Sequence, residues 1–296
     1  MTIYAGIDAG GTLIKIARLG DPGNAAGRGP AGKPALLKFP AARIEDAARW
    51  VRANLPEDAR IGVTGGRGER LRGLLPEYAN FAGVPEFEAT AEGAVRIRAC
   101  DLGEAGKAAE RFVLANVGTG TSLHLIDGAE RPRLGGIGLG GGTIVGLTGL
   151  LCGVRDYDEI ARLAPLGDRE AVDLTVGQIY APAEPPIAGD LTAANFARPL
   201  PSAAAVRPQD YAAAVVGMVA EIVATVAAQA AALHGASRIV YAGSAYEGNE
   251  LLRTLTVRFT HMLGRTAEIP PQGPYCGAIG ALYAAKESIQ DKLKNE

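Results

Sequence analysis

Apolar and polar residues along this chain switch between a two-residue and a 3.6-residue period, which predicts strands interleaved with helices. Residues 3–7 form a short apolar run that ends on a carboxylate, Asp8. The small residues Ala9-Gly10-Gly11-Thr12 let the chain turn back, and residues 13–19 set Lys15 and Arg18 among Leu, Ile and Ala as a second strand. Residues 36–39 read as a third, edge strand. Residues 43–54 carry Ile44, Ala47, Ala48 and Val51 at helical spacing. Residues 60–64 form a strand stopped by Gly65-Gly66, and residues 69–75 a helix. Residues 84–88 read as a strand end entering a helix that begins near Thr90. This order predicts an α/β domain.

The pattern then recurs. Residues 112–127 are again apolar strand, polar residue, Gly/Thr turn and strand, with Asn116 where Asp8 stood and Gly118 where Gly10 stood. Two such hairpins suggest two similar domains facing each other across a cleft. A Gly-rich loop from Gly135 to Gly142 runs into an apolar helix from Thr143, and residues 157–166 are helical. Residues 182–196, with their prolines, read as an irregular functional or interface loop. Residues 210–234 form a long helix ended by Gly235. Residues 238–241 are a strand leading through Ala242-Gly243-Ser244 to a helix at 249–262. A last helix, 277–286, closes the domain, and its Gly277, Ala278 and Gly280 permit close packing on a neighbour. Residues 20–34 read as a Gly/Pro loop, and the charged tail 287–296 as frayed.

The 296 residues are enough for one large or two medium domains with real cores. We expect residues 1–110 to hold the first phosphate hairpin and the candidate base. Residues 111–296 would hold the second hairpin, an adenosine site and a dimer interface. A formal net charge of -2 gives no broad attraction to nucleic acid or anionic membrane. Cys100, Cys152 and Cys276 make no C-x-x-C pair, which excludes a zinc ribbon and suits a reducing cytoplasm. His124, His234 and His261 have no metal-ligand spacing and read as surface or satisfied core residues. The N-terminal residues lack a secretory pattern. Residues 211–233 are the best membrane candidate, but Glu221, Gln229 and abundant Ala favour a buried helix.

A turn of bare backbone N–H groups can wrap a phosphate closely, and Asp8 at its mouth can hold magnesium directly or through water. No Walker-type G-x-x-x-x-G-K-[ST] occurs, and the first Gly turn leads to a strand, whereas a dinucleotide fingerprint leads to a helix. The Gly243-Ser244 turn is suited to an adenosine moiety. The helix after Gly142 offers N–H groups to a nucleotide. If residues 84–88 are extended, Glu86 and Glu88 project from one side, about 7 Å apart. One could take a proton from a substrate hydroxyl; the blander alternative is two solvated carboxylates near a helix N-terminus. Arg133 could fork onto a carboxylate or phosphate, or simply lie on the surface.

Four runs together carry a family resemblance: Asp8-Ala9-Gly10-Gly11-Thr12-Leu13-Ile14-Lys15, Asn116-Val117-Gly118-Thr119-Gly120-Thr121-Ser122, Gly135-Gly136-Ile137-Gly138 and Gly189-Asp190-Leu191-Thr192-Ala193-Ala194-Asn195-Phe196. With Gly277-Ala278-Ile279-Gly280-Ala281-Leu282 near the end, the chain resembles a type II pantothenate kinase of the actin-like ATPase superfamily. The resemblance implies two actin-like (ribonuclease H-like) α/β domains with ATP and Mg2+ in the cleft. It implies phosphorylation of pantothenate to 4′-phosphopantothenate by a homodimer, while the composition leads us to expect a cytoplasmic protein with no nucleic-acid or membrane partner. By the same resemblance Glu86 is the general base and Arg133 binds substrate. ATP would be held by Asp8, Ala9, Gly10, Gly11, Thr12, Leu13, Ile14, Lys15, Thr119, Gly141, Gly142, Thr143, Ile144, Val145, Tyr157 and Ser244. The chain departs from the family at Glu88, often Asp there, after the glycines at Gly141-Gly142-Thr143-Ile144-Val145, and at Pro274-Tyr275-Cys276. The alternatives are a sugar kinase of the same fold, acting for example on N-acetylglucosamine, and an ATPase that activates a partner enzyme through an iron–sulfur cluster.

Overall fold

The computed structural model describes residues 3–19, 34–102, 111–198 and 206–294. The boundary expected at residue 110, and all of the 20–34 loop but Pro34, lie outside them. The first half opens with an antiparallel meander of β1 (Tyr4–Ala9), β2 (Leu13–Leu19) and β3 (Ala35–Pro40). Helix α1 (Ile44–Asn54) leads to β4 (Arg60–Thr64), parallel to β1. Helix α2 (Gly68–Gly73) leads to β5 (Phe81–Gly83), parallel to β4, and α3 (Glu86–Leu102) follows. The sheet order is β3-β2-β1-β4-β5.

The second half repeats this plan. Strands β6 (Phe112–Val117), β7 (Thr121–Ile126) and β8 (Arg133–Ile137) form the meander. An inserted segment carries α4 (Gly141–Cys152), α5 (Tyr157–Leu163), β9 (Leu174–Thr175), α6 (Val176–Tyr180) and β10 (Thr192–Ala194). Then come α7 (Pro208–Leu233), β11 (Arg238–Ala242), α8 (Glu250–Met262), β12 (Thr266–Glu268) and α9 (Cys276–Lys294). Strand β11 is parallel to β6 and β12 to β11, so the order β8-β7-β6-β11-β12 matches the first sheet strand for strand.

Three local expectations change. Helix α3 starts at Glu86, four residues before Thr90, because Pro85 supplies the carbonyl that accepts the Ala89 N–H at 3.0 Å and two acidic residues favour a first turn. Gly135 and Gly136 lie in β8, which leaves only a short turn before α4. The Pro-rich 182–196 segment contains β10, which pairs with β9.

Alternation along each strand decides what each sheet face covers. Ala5, Ile7 and Ala9 of β1 are fully buried with Ile44, Val51 and Leu71 of α1 and α2. In the second sheet Val113, Ala115 and Val117 pack on α7, while Phe112 and Leu114 pack on the other face with α3 and α9. Helix α7 is long and apolar enough to cross a membrane, yet 67% of its most apolar window is buried within the protein.

The last helix does more than close the second half. It lies on β1 and β4 of the first sheet and against α3. Glycines make this possible. A Cβ on Gly6 would lie 2.0 Å from the Ala278 carbonyl oxygen, and one on Gly280 would lie 1.8 Å from that of Ala89 on α3. Gly280→Val is therefore expected to cost about 3 kcal/mol or more by overpacking. Gly73→Ala, in open space, should stay within about 0.5 kcal/mol. Urea midpoints check both; an unchanged midpoint for Gly280→Val would contradict this packing.

Candidate active site

The β1–β2 and β6–β7 turns meet across the cleft, where Thr12 Oγ1 lies 3.4 Å from Thr119 Oγ1. Each turn is closed by its own backbone. Gly10 N–H donates to the Leu13 carbonyl at 3.1 Å, and Gly118 N–H to the Gly120 carbonyl at 2.8 Å. Between them lies a cavity of about 110 Å³. Its walls include Asp8, Gly10, Gly11, Thr12, Leu13 and Lys15 from one side, and Asn116, Gly118 and Thr119 from the other. Gly243 and Ser244, expected to suit an adenosine moiety, line this same cavity. At φ +101° with the Val117 carbonyl 2.2 Å from its Cβ position, residue 243 tolerates only glycine.

Asp8 sits at the end of β1 behind Gly277, where a side chain would press on the carboxylate at 3.0 Å. Lys15, its cross-strand partner, places Nζ 3.7 Å from Asp8 Oδ2. Burial raises the Asp8 pKa, and the Lys15 charge only partly offsets it. Glu86 is also raised, first by burial and then by the negative charge of Asp8, with Lys15 opposing. Two carboxylates and one lysine therefore line the cavity between the two turns. Among the described residues no group of three His, Cys, Asp or Glu side chains could hold a metal. One largely enclosed carboxylate on the wall of this cavity fits a magnesium ion that keeps most of its waters.

A second cavity of about 400 Å³ opens beside the first. Glu86, Phe87, Ser122, Arg133, Gly136 and Ile137 are among its walls. The Arg133 guanidinium lies 5.0 Å from the centre of the Phe87 ring, a cation–π contact that holds it over the cavity. Glu86 lines both cavities. Because residues 86 and 88 are helical, about 100° per residue separates them, and they do not project together. Glu88 faces a different cavity, of about 300 Å³, with Glu92, Arg131 and Glu287.

The remaining nucleotide positions divide by what their atoms already do. Gly141 N–H donates to the Gly118 carbonyl at 2.8 Å and Gly142 N–H to that of Thr119 at 3.0 Å, so the start of α4 braces the second turn. The helix thus starts at Gly141, two residues before the expected Thr143, and its first two N–H groups are already committed. Thr143 Oγ1 donates to the Gly138 carbonyl at 3.0 Å. Ala9, Ile14 and Ile144 are fully buried and Val145 packs against the core, which leaves backbone as the part of the three buried residues that can reach a ligand. The Tyr157 hydroxyl donates to the Ala245 carbonyl and accepts from Asn249 Nδ2 at 3.2 Å. Burial pushes its pKa up to about 12, and it pins the segment after Ser244.

Sequence reasoning missed Thr90, Phe87, Ser122 and Cys276 as wall residues. Thr90 had a signal, since it stands one turn after Glu86 once α3 starts there. His124 is not satisfied as expected: it is fully buried with Nε2 3.1 Å from Ser122 Oγ, but its buried Nδ1 has no partner among the described residues.

The family model described as Fumble matches residues 105–284. A type II pantothenate kinase of Staphylococcus haemolyticus is 38% identical over 281 residues, covering 94% of this chain and 98% of that one. A type II pantothenate kinase of Staphylococcus aureus (strain MRSA252) is 39% identical over 284 residues, 95% and 99% of the two chains. Among solved structures, the activator of 2-hydroxyisocaproyl-CoA dehydratase from Clostridium difficile with bound ADPNP superposes with a TM-score of 0.62 at 14% identity, covering 100% of this chain and 98% of that one. A ROK family glucokinase from Streptomyces griseus, in complex with glucose and AMPPNP, gives 0.55 at 15%, covering 96% and 99%. These structures share the actin-like fold. The two hairpins, the cleft between them and the full-length similarity converge: the chain belongs to the type II pantothenate kinase family.

Proposed function

We infer that this protein transfers the γ-phosphoryl group of ATP to the primary hydroxyl of pantothenate, giving 4′-phosphopantothenate on the path to coenzyme A. The observation that carries the assignment of roles is Glu86, which faces both the phosphate cavity and the larger cavity beside it. The triphosphate lies between the two Gly/Thr turns, and pantothenate fills the larger cavity against Arg133. Glu86 takes the hydroxyl proton as the oxygen bonds to the γ-phosphorus and the bridging oxygen leaves with ADP. Lys15 offsets phosphate charge. Asp8 is the side chain suited to hold, through water, a magnesium ion carried by ATP, which would neutralise further negative charge. Positioning and charge neutralisation thus supply most of the catalysis.

The rivals gain less support. An iron–sulfur activator needs cysteines grouped for a cluster, whereas Cys100 is exposed, Cys152 half-buried and Cys276 fully enclosed. We further propose a cytoplasmic homodimer. The exposed apolar residues Leu150, Leu151, Ile179 and Ile187, on and beside α4, α6 and the Pro-rich loop, support that interface.

A coupled ADP-release assay with pantothenate, glucose or N-acetylglucosamine should respond to pantothenate alone. Glu86→Gln should lower kcat by about 10²–10⁴-fold while changing the ATP KM little; retained turnover would remove Glu86 from this role. A base works only when ionised, and the Glu86 pKa is raised above 4.5. The kcat/KM profile should therefore fall as pH drops through a value above 4.5, and a flat profile there would contradict the role. Sedimentation equilibrium should return twice the 30.5 kDa chain mass; a monomer at all concentrations would refute the dimer.

A further inference from the structure

Ser122 and His124 stand two residues apart on β7 and so share the face that looks toward α3. His124 is fully enclosed, beneath the Phe87 ring at 5.4 Å between ring centres. Its Nε2 is 3.1 Å from Ser122 Oγ, and Ser122 lines the larger cavity with Glu86 and Arg133. The buried Nδ1 has no hydrogen-bond partner among the described residues. Burial first, and the Arg133 charge second, push the His124 pKa down to about 4, so the imidazole is neutral near pH 7 and carries one proton.

That proton has two possible homes. On Nδ1 it would be a buried donor with no acceptor, a rare and costly arrangement, while an idle ring lone pair is better tolerated. On Nε2 it donates to Ser122 Oγ and fills an acceptor site of the hydroxyl. A serine hydroxyl has one donor and two acceptor positions, and His124 is its one hydrogen-bond partner among the described residues. We propose that His124 is a positioning residue: its Nε2–H holds Ser122 so that the serine O–H is committed as a donor into the substrate cavity, toward an acceptor oxygen of the substrate beside Arg133. This inference rests on the pantothenate reading and adds a polarity rule to it. The wall formed by Ser122 and Arg133 presents donors, so it selects a carbonyl, carboxylate or ether-like oxygen over an N–H group.

Nitrogen-15 NMR of the histidine side chains reads the tautomer directly, without turnover. The proton is expected on Nε2 of His124; a proton on Nδ1 would overturn the inference. In kinetics, His124→Leu should raise the pantothenate KM about tenfold, the scale of one lost hydrogen bond, with kcat and the ATP KM within about twofold. His124→Gln, which keeps an N–H near the Nε2 position, should restore the KM. Ser122→Ala combined with His124→Leu should be no worse than Ser122→Ala alone. Additive effects, or a rise in both KM values, would instead mark His124 as general packing and refute its positioning role. If the wild-type protein leaves pantothenate untouched, the substrate reading fails, while the NMR measurement still decides the tautomer.

Discussion

Everything in the active site depends on how closely α3 and α9 pack between the two sheets. Each helix follows the last strand of its own half, and the two lie side by side with backbone against backbone. A Cβ on Gly93 would lie 1.9 Å from the Cys276 carbonyl oxygen, and Gly280 meets Ala89 equally closely. No side chain fits at either point, so the contact fixes the spacing of the two sheets. That spacing brings Thr12 to Thr119 and leaves a narrow cavity between their turns. The helices also carry chemistry at their ends. Glu86 opens α3, and Cys276 and Gly277 open α9 on the wall of that cavity.

The same enclosure sets the electrostatics. Asp8 and Lys15 occupy an enclosed corner, with Glu86 on its exposed rim, and there charge is costly and every neighbour counts. Lys15 favours the ionised form of both carboxylates, but burial outweighs it, and Asp8 further disfavours charge on Glu86. A carboxyl held above its ordinary range is a better proton acceptor than a solvated glutamate. Glu88, two residues on, lies outside this corner because the helix turns it away. The different surroundings of two glutamates in one helical turn come from geometry alone.

Much of the architecture was legible in the sequence because each half wrote it locally. The Asp8 and Asn116 hairpins have the same apolar runs and Gly/Thr turns, and both form as read, with matching sheet orders. The long Ala-rich helix before Arg238 and its stop at Gly235 were equally plain. What stayed hidden was tertiary. Nothing in residues 277–286 says that the last helix returns to the first sheet, although its small residues signal a close neighbour. The start of α3 was misplaced because Pro85 reads as a strand breaker as easily as a helix opener. Glu86 was singled out, but its unlike environment from Glu88 depends on that start. The helix after the glycines starts at Gly141, two residues before the expected Thr143, and no local pattern shows that the Gly118 and Thr119 carbonyls take the N–H groups of Gly141 and Gly142. His124 looked ordinary because its missing partner is a property of the fold.

The most direct measurement is a crystal structure with a non-hydrolysable ATP analogue and pantothenate bound together. The expected result has the terminal phosphate between the Thr12 and Thr119 turns, with the pantothenate hydroxyl between that phosphate and the Glu86 carboxylate. A nucleotide seated away from both turns, or pantothenate bound on the far side of α3 beside Glu88, would contradict it.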